Sequence, residues 1–443
     1  MSRFELRYRL DELPPPGQLA AFGLQWLAIS VPTVIIIGNV VAGLHSFEAV
    51  ARVAYIQKLF LVSGAALFIQ ILWGHRLPLI MGPAAVLLVG VAASLGRTPD
   101  AVYSAALIGG AVLAAVGAAG LFGRLKRLFT PRVVASILIL IAFTLTPTIT
   151  GLVLGPEVPA HPLKKLSFSI FLVLAMFAAN RVLKGIWKST LIVWAIVAGT
   201  LAHLLIFPAG TAAGGIVPQP LFFYEDLHFN FVIDPGILIA FLVCYLALSI
   251  NDLGSIQSVG EMLGLKDMQG RITRGITITG LAGVLSGFLG VIGPVNFSMS
   301  PGVIASTGCA SRFTLLPTAL GLLALAFMPG AIVILGGIPS TVVGSVLIYI
   351  MCSQVAAGLL VAFGSGDGFG MESGLVLGLP LMLGIIISYL PVHVLATFPA
   401  AVRPVMGNGF VIGVLSVLIM EHIIYRNRVG PSQPETHNIQ ENI

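Results

Sequence analysis

The sequence has very few charged residues. Only 9% of its 443 residues are Asp, Glu, Lys or Arg and 57% are hydrophobic, whereas ordinary soluble domains have about a quarter charged residues. Apolar runs long enough to span a membrane recur from Leu19 to Ile424. We therefore expect one integral membrane domain, in a bacterial inner membrane, and no second globular unit.

The sequence also lacks a cysteine framework and a secretory signal. Cys244, Cys309 and Cys352 all lie in apolar segments, which is typical of small buried side chains rather than disulfides. The N-terminal stretch "MSRFELRYRLDELPPPGQ" is charged and has no apolar core or small-residue cleavage site. The first span is therefore expected to start membrane insertion.

Motifs for the common catalytic chemistries are missing as well. The sequence contains no Walker loop, dinucleotide fingerprint, HExxH motif or serine-hydrolase elbow. This makes an enzyme, a cofactor-dependent protein or a pump driven by ATP on this chain alone unexpected.

At about 20 residues per span, the apolar runs predict fourteen membrane spans. Their predicted centres lie near residues 31, 65, 86, 111, 142, 173, 198, 243, 282, 303, 324, 347, 382 and 416. With both termini in the cytoplasm, most of the 23 Lys and Arg residues fall on the cytoplasmic side, as the positive-inside rule requires. The net charge of +6 is therefore explained by topology, and a nucleic-acid partner is not expected.

Fourteen spans divide into two sets of seven, and the odd number makes the second set inverted relative to the first. Secondary transporters often have this arrangement, with broken helices at matching positions near the membrane midplane. The third span contains "MGPAAV" (residues 81–86) and the tenth contains "MSPGVI" (residues 299–304). The fold class predicted is therefore an all-α polytopic membrane protein with a short strand and a half-helix in spans 3 and 10.

The physics of these two hexapeptides favours a helix that starts inside the membrane. Proline suits the first helical position, and Ser300 before Pro301 and Gly82 before Pro83 can act as N-caps. A helix N-terminus attracts an anion or a carbonyl-rich ligand. We therefore include Pro83, Ala84, Ser300, Met299 and Gly302 among the predicted substrate-binding residues. The alternative is two ordinary proline kinks.

The eighth span contains Asn251 and Asp252. A charged residue near the bilayer centre costs about 2.5 to 3.5 kcal/mol on insertion scales, so it indicates function by default. Burial favours the protonated form of Asp252, which suits a proton-coupling group, and Asn251 could bind a polar planar ligand. Alternatively, Asp252 lies near the cytoplasmic interface or caps a neighbouring half-helix.

Other polar residues lie in predicted spans. Asn296, Ser298 and Thr307 surround the broken tenth span, and Asn296 has the richest hydrogen-bonding capacity of the three. Gln25 is a further candidate for the binding site, whereas Gln70 and Gln257 are interpreted as contacts between helices. Trp26 and Phe297 could stack on a flat ring or simply pack in the core.

Several stretches of the sequence resemble the nucleobase-cation symporter family, which includes the uracil-xanthine permeases and nucleobase-ascorbate transporters. They include "GLQWLAISVP", "GHRLPLIMGPAA", "GRITRGITITGLAGVLSGFLG" and the closing "SYLPVHVLATFPAAVRPVMGNGFVIGVLS". The tenth-span "MSPGVIAST" keeps the family's glycine and threonine at Gly302 and Thr307. The resemblance extends over nearly the whole chain.

The resemblance implies a core that moves against a gate, coupling to a proton or to sodium, and a homodimer. The implied core is residues 19–124 and 233–337, and the implied gate is residues 125–208 and 338–425. The remaining segments are a cytoplasmic tail at 1–18, an extracellular loop at 209–232 and a second cytoplasmic tail at 426–443.

The chain also departs from the family pattern. The first-span Gln-His is Gln25-Trp26, the eighth-span glutamate aligns with Asn251, and the tenth-span Gln or Glu followed by Asn becomes Met299-Ser300. The side chains that bind a nucleobase in the family are thus partly replaced. Either the ligand differs, or Asn251, Asp252 and Asn296 take over this role.

These observations leave two functions open. The first is proton symport of a nucleobase such as xanthine, urate or uracil, with Asp252 carrying the proton. The alternative is an anion transporter of the same fold, for sulfate, bicarbonate or an aromatic carboxylate, because half-helix N-termini favour negative charge. A scaffold or receptor without transport is disfavoured, since broken helices and a buried aspartate have a cost.

Overall fold

The protein is described here by a computed structural model. It describes residues 6–94, 96–121, 128, 130–154, 162–207, 230–297, 299–364, 369–399 and 403–425. Ser298, most of the predicted extracellular loop and the predicted C-terminal tail lie outside the described residues.

The described residues are mainly helical. The first half of the chain contains α1 (Pro16–Leu44), α2 (Ala49–Leu72), β1 (Met81–Pro83), α3 (Ala85–Ala93), α4 (Pro99–Ala118), α5 (Pro131–Thr144), α6 (Thr146–Leu154), α7 (Pro162–Val182), α8 (Gly185–Ser189) and α9 (Leu191–Ile206). The second half contains α10 (Pro235–Met262), α11 (Met268–Phe288), β2 (Pro294–Asn296), α12 (Ser300–Thr307), a 3-10 turn (Arg312–Thr314), α13 (Leu315–Ala326), α14 (Pro329–Gly336), α15 (Ser340–Gly364), α16 (Met371–Ser388), α17 (Val392–Ala396), α18 (Arg403–Met406), α19 (Gly409–Ile419) and a π-helical turn (Met420–Ile424).

Proline starts many of these helices. It occupies the first turn of α1, α4, α5 and α10, where its missing N–H leaves no bond unmade. Asp234 caps α10, because its Oδ1 accepts hydrogen bonds from the backbone N–H groups of Gly236 and Ile237 at 2.9 and 3.2 Å. The long apolar segments are thus separated by residues that favour helix starts.

The helices pack in two groups. Helices α1 to α4 pack with α10, α11 and α13, whereas α5, α6 and α7 pack with α15, and α5 also with α16 and α19. Helices α4 and α11 approach each other closely, since a Cβ atom on Gly280 would come within 2.3 Å of the Ala114 nitrogen. Small residues at such a crossing are typical of helix contacts inside membranes.

Eight described helices are long and apolar enough to cross a membrane, when α5 and α6 are counted as one helix over Pro131–Leu154. The number rises to nine if Arg312–Ala326 and Pro329–Gly336, bent by 94°, are one span. All fourteen predicted span centres fall within helices, but several of these helices are too short to meet the length criterion. The protein is therefore an integral membrane protein, while fourteen crossings remain a prediction.

The third and tenth predicted spans each consist of a short strand followed by a short helix. Strands β1 and β2 pair antiparallel, with Met81 opposite Asn296 and Pro83 opposite Pro294. The strand and half-helix predicted from the two hexapeptides are confirmed.

The predicted helix caps are wrong in detail. Pro83 belongs to β1, and α3 starts two residues later, after Ala84. Ser300 is already the first residue of α12, the preceding Met299 makes no side-chain cap, and Pro301 is the second residue of the helix. The reason is tertiary: the Ser300 Oγ accepts a hydrogen bond from the Ile80 backbone N–H at 3.2 Å.

Candidate functional site

The paired strands bring the starts of α3 and α12 close together. The ladder continues beyond the strands, since the Ala84 N–H donates to the Gly293 carbonyl at 3.0 Å and the Phe297 N–H donates to the Ile80 carbonyl at 2.8 Å. Every residue of both strands is buried. Irregular backbone is tolerated inside a membrane protein when its polar groups are satisfied in this way.

Asp252 attaches the end of β2 to the two long helices beside it. Its Oδ1 accepts hydrogen bonds from the backbone N–H and the Nδ2 of Asn296 at 3.1 and 2.6 Å. Its Oδ2 accepts from the Thr279 hydroxyl at 2.7 Å. Asp252 and Asn296 are both 0% exposed. These two predicted site residues therefore bind each other.

Asn251 lies on a different face of α10 from Asp252, because successive helical residues point about 100° apart. It is half-buried, and Gly254, one turn further along, is exposed with no atom within 4 Å of a Cβ placed there. Helix α10 also contacts α12. The sequence neighbours Asn251 and Asp252 are thus separated into an accessible and an inaccessible environment.

The start of α12 is accessible on one side. Met299 is 40% exposed, and Gly302 is exposed, with no atom within 4 Å of the position that a Cβ would take there. Ser300, by contrast, is 0% exposed, and its hydroxyl donates to the Phe297 carbonyl at 2.9 Å. We call Met299 and Gly302, together with Asn251 on the contacting helix α10, the open face.

The two half-helices differ in the backbone groups that they offer. In α12, the N–H groups of Ser300 and Gly302 donate to the Phe297 and Met299 carbonyls at 3.2 and 3.0 Å, and Pro301 has no N–H. In α3, the N–H groups of Ala85 and Val86 have no acceptor among the described residues. Free N–H groups are expected at the starts of both half-helices, and in the described chain they are found at the start of α3.

Gln25 on α1 is a buried amide with unused hydrogen-bonding capacity. It is 6% exposed, and its Nε2 has no hydrogen-bond partner in the described part of the chain. Helix α1 packs against both β1 and α3. A buried donor without a partner costs about 1 to 3 kcal/mol, so an acceptor on a ligand would be stabilising there.

Phe297 is the aromatic residue at the strand crossing. Its ring lies against Gly82, since a Cβ on Gly82 would come within 2.6 Å of Phe297 Cζ. Phe297 is partly accessible, whereas Trp26 is only 3% exposed and belongs to the hydrophobic core. Of the two aromatics considered from sequence, Phe297 is thus the one available to a flat ligand.

Sequence reasoning missed His75, Thr279 and Arg271. His75 lies within the stretch "GHRLPLIMGPAA", is 0% exposed, and its Nε2 is 3.1 Å from Asn296 Oδ1. Gln70, interpreted as a contact between helices, indeed bonds the Gly275 carbonyl and the Thr279 hydroxyl at 2.8 and 3.1 Å. A histidine next to a glycine-rich, proline-containing stretch was the available signal.

Among the described residues, no group of three His, Cys, Asp or Glu could hold a metal ion.

Comparison with known proteins places this chain in a family. The family model described as "Permease family" (Xan_ur_permease) matches residues 17–393. Uric acid permease PucK of Bacillus subtilis is 25% identical over 447 residues, covering 96% of this chain and 98% of the relative. Uric acid transporter UacT of Escherichia coli is 22% identical over 435 residues, covering 93% and 87%.

Among solved structures, the transmembrane domain of the cyanobacterial bicarbonate transporter BicA has a similar fold. Its TM-score is 0.61 at 17% sequence identity, and the match covers 84% of this chain and 96% of that one. These relatives are named as permeases and transporters rather than enzymes. The family model matches most of the chain, so this protein belongs to the permease family that the model describes.

Proposed function

We propose that this protein is a secondary active transporter that moves a nucleobase of the xanthine, urate or uracil class across the cytoplasmic membrane. Two relatives that match along nearly all of their length are named as a uric acid permease and a uric acid transporter. The observation that carries the proposal is the open face, where Asn251, Met299 and Gly302 are accessible beside two paired and buried strands.

The substrate would be recognised by a small number of groups around the two strands. The Asn251 amide offers a donor and an acceptor, as one edge of a nucleobase requires. The Gln25 Nε2 and the N–H groups of Ala85 and Val86 are donors without acceptors in the described chain, and they suit the carbonyl oxygens of an oxidised purine. Phe297 would stack on the ring.

Met299, Ser300, Pro83 and Ala84 would shape the site rather than bind the edge of the base. Met299 is the most exposed of the four and would contact the ligand through its side chain. Ala84 is fully buried and precedes the free N–H groups of α3. Small or apolar residues here leave room for a flat ring and keep water away from its hydrogen bonds.

Asp252 would be the proton-coupling group, with sodium as the alternative coupling ion. The support is that its carboxylate is fully buried and is bonded to Asn296, three residues before Met299. Protonation would weaken its attraction for the two Asn296 N–H donors, and so would alter the position of β2 relative to α10. Asp252 would thus affect the substrate through Asn296 instead of touching it.

Transport would proceed by alternating access in a protein of fourteen spans built from two inverted repeats. The core would be spans 1 to 4 and 8 to 11, and the gate spans 5 to 7 and 12 to 14. The two groups of helices that pack mainly within themselves support this division. We further propose a homodimer with both termini in the cytoplasm, the latter from the distribution of Lys and Arg.

Uptake into proteoliposomes tests the proposal. Purified protein is reconstituted, and uptake of radiolabelled xanthine, urate, uracil and sulfate is measured with and without an inward proton gradient. We expect one or more of the nucleobases to accumulate only with the gradient, and unlabelled nucleobase to compete. Uptake of sulfate alone, without competition by any nucleobase, would contradict the proposal and support the anion transporter.

A further inference from the structure

His75 lies in the connection between α2 and β1, and both of its ring nitrogens have partners. Its Nδ1 accepts a hydrogen bond from the Leu77 backbone N–H at 3.0 Å. The proton of the neutral ring is therefore on Nε2, which donates to Asn296 Oδ1 at 3.1 Å. The tautomer follows from this hydrogen-bond network.

This bond fixes the orientation of the Asn296 side chain. Asn296 Oδ1 faces the His75 donor, and Nδ2 faces the Asp252 carboxylate at 2.6 Å. The reversed amide would set its oxygen against the carboxylate and its NH2 against the histidine N–H. Because all three residues are 0% exposed, water cannot compensate for the reversed contacts.

The hydrogen bonds around His75 close into a ring. The His75 backbone N–H donates to Gln70 Oε1 at 3.2 Å, and Gln70 Nε2 donates to the Thr279 hydroxyl at 3.1 Å. Thr279 donates to Asp252 Oδ2 at 2.7 Å, and Asp252 binds Asn296. The ring therefore joins α2 and the α2–β1 connection to α10, α11 and β2.

A second set of contacts holds the connection itself. Arg271 Nη1 donates to the carbonyls of His75 and Arg76 at 2.8 and 3.0 Å. At its other end, the Ile80 carbonyl and N–H bond Phe297 and Ser300 at 2.8 and 3.2 Å. The connection is thus bonded to residues 296–300 at three points: His75 to Asn296, and Ile80 to Phe297 and to Ser300. Of these three hydrogen bonds, only the one from His75 joins two side chains.

We propose that His75 is a positioning residue for substrate binding, acting through the Asn296 amide on the start of α12 and so on the open face. The inference rests on the proposed function for its link to substrate, but the positioning itself can be measured without substrate. It assigns a role to the α2–β1 connection, which contributes no residue to the open face.

Two amide substitutions separate the functions of the two ring nitrogens. His75→Gln places an amide nitrogen near the position of Nε2 and can still donate to Asn296. His75→Asn places its oxygen near the position of Nδ1, so it can still accept from Leu77, but it is too short to reach Asn296. His203→Leu is the matched control, because His203 is buried on α9 and packs against Phe168 and Phe207, away from the ring of hydrogen bonds.

The first measurement uses a cysteine introduced at Gly302 in a Cys352→Ser background, in which the remaining Cys244 and Cys309 are buried. The rate of labelling by a maleimide reports on how α12 is positioned. We expect His75→Asn to change this rate several-fold, and His75→Gln and His203→Leu to leave it close to that of the parent.

The second measurement is the KM for nucleobase uptake by the same three substitutions in the otherwise native chain. We expect KM to rise about tenfold in His75→Asn and to be rescued in His75→Gln. Equal labelling rates and equal KM values for the Asn and Gln variants, whether both normal or both impaired, would overturn the inference. If the native protein takes up no nucleobase, the proposed function fails, while the labelling rates still decide whether His75 positions α12.

Discussion

The two strand and half-helix units have matching backbones but different surroundings. In β1 and α3, Met81 is 0% exposed and Val86 is 4% exposed, and the side chains from 81 to 91 are all apolar. In β2 and α12, Met299 is 40% exposed, and Asn296 and Ser300 make hydrogen bonds to other segments. Met299 matches Met81 in the two hexapeptides, although Met81 lies in β1 and Met299 directly precedes α12. The same strand and half-helix arrangement therefore occurs in two different chemical environments.

The difference indicates that the two units contribute different groups to the protein. The first unit is largely buried, and its Ala85 and Val86 backbone N–H groups have no acceptor in the described chain. The second unit offers accessible side chains and is held by Asp252. Because the donors that the first unit would offer to the substrate are backbone N–H groups, equivalent side-chain substitutions should damage different properties: folding stability in the first unit and substrate transport in the second.

The largest effect is expected from Asp252→Asn. The amide cannot accept from all the donors that the carboxylate now binds, and it cannot exchange a proton. We expect gradient-driven accumulation of nucleobase to be abolished, as measured by uptake into proteoliposomes with an inward proton gradient.

Asp100→Asn is the matched control for this substitution. Asp100 Oδ2 accepts a hydrogen bond from Asn230 at 3.3 Å at an exposed position, and we expect normal accumulation. Accumulation by Asp252→Asn at the native level would show that Asp252 is not the coupling group.

Substituting one glycine in each unit sharpens the comparison. In Gly82→Ala, the new Cβ would lie 2.6 Å from the Phe297 ring, and such overpacking costs about 1 to 3 kcal/mol. In Gly302→Ala, the new Cβ meets no atom within 4 Å, and alanine in a helix is favoured over glycine by about 1 kcal/mol. Thermal unfolding in detergent should therefore show a lower Tm for Gly82→Ala only.

In uptake assays, Gly302→Ala should be impaired even though its Tm is not lowered. Although Gly302→Ala keeps its stability, we expect its KM for nucleobase to rise, because the methyl group extends into the open face. A Gly302→Ala variant with native KM and Gly82→Ala with native Tm would remove the distinction between the units.

The two matching methionines provide another test. Met81→Gln buries an amide without partners and should lower stability by about 1 to 3 kcal/mol. Met299→Gln leaves the amide accessible, and it restores the residue type that the resemblance to nucleobase permeases implies at this position. We expect a native Tm and a lower KM for nucleobase in Met299→Gln, measured by unfolding and by uptake. Equal losses of Tm in both variants would argue against an open face at Met299.

The smallest effect is expected from Gln25→Leu. Removing a buried donor that has no partner in the described chain should not lower the stability of the substrate-free protein, and should raise it by part of the about 1 to 3 kcal/mol that the unpaired donor costs. If Gln25 donates to the substrate, KM should rise by about five- to tenfold, equivalent to a hydrogen bond of about 1 to 1.5 kcal/mol. An unchanged KM in competition assays with xanthine and urate would exclude Gln25 from the site.

The membrane class and the two broken spans could be predicted from the sequence because they depend on local features. Apolar runs determine the spans, and the Pro and Gly residues of "MGPAAV" and "MSPGVI" interrupt them. The exact helix starts could not be predicted, since the Ser300 hydroxyl accepts a hydrogen bond from the backbone N–H of Ile80, 220 residues away. Local capping preference was overridden by a tertiary hydrogen bond.

The partners of the buried polar residues could not be predicted for the same reason. A buried Asp252 was expected to indicate function, but its bond to Asn296 joins residues 44 positions apart, and the bond between His75 and Asn296 joins residues 221 apart. A single sequence gives no information on such pairings. The separation of Asn251 from Asp252 was, however, implicit in helical geometry, since adjacent residues on a helix face different directions.

An electron cryomicroscopy structure of the protein with bound urate or xanthine would test the central claim most directly. We predict that the base lies at the open face, with its edge on the Asn251 amide and its ring near Met299 and Gly302, while Asp252 keeps its bonds to Asn296. A base bonded directly to Asp252, or bound away from the start of α12, would contradict the account.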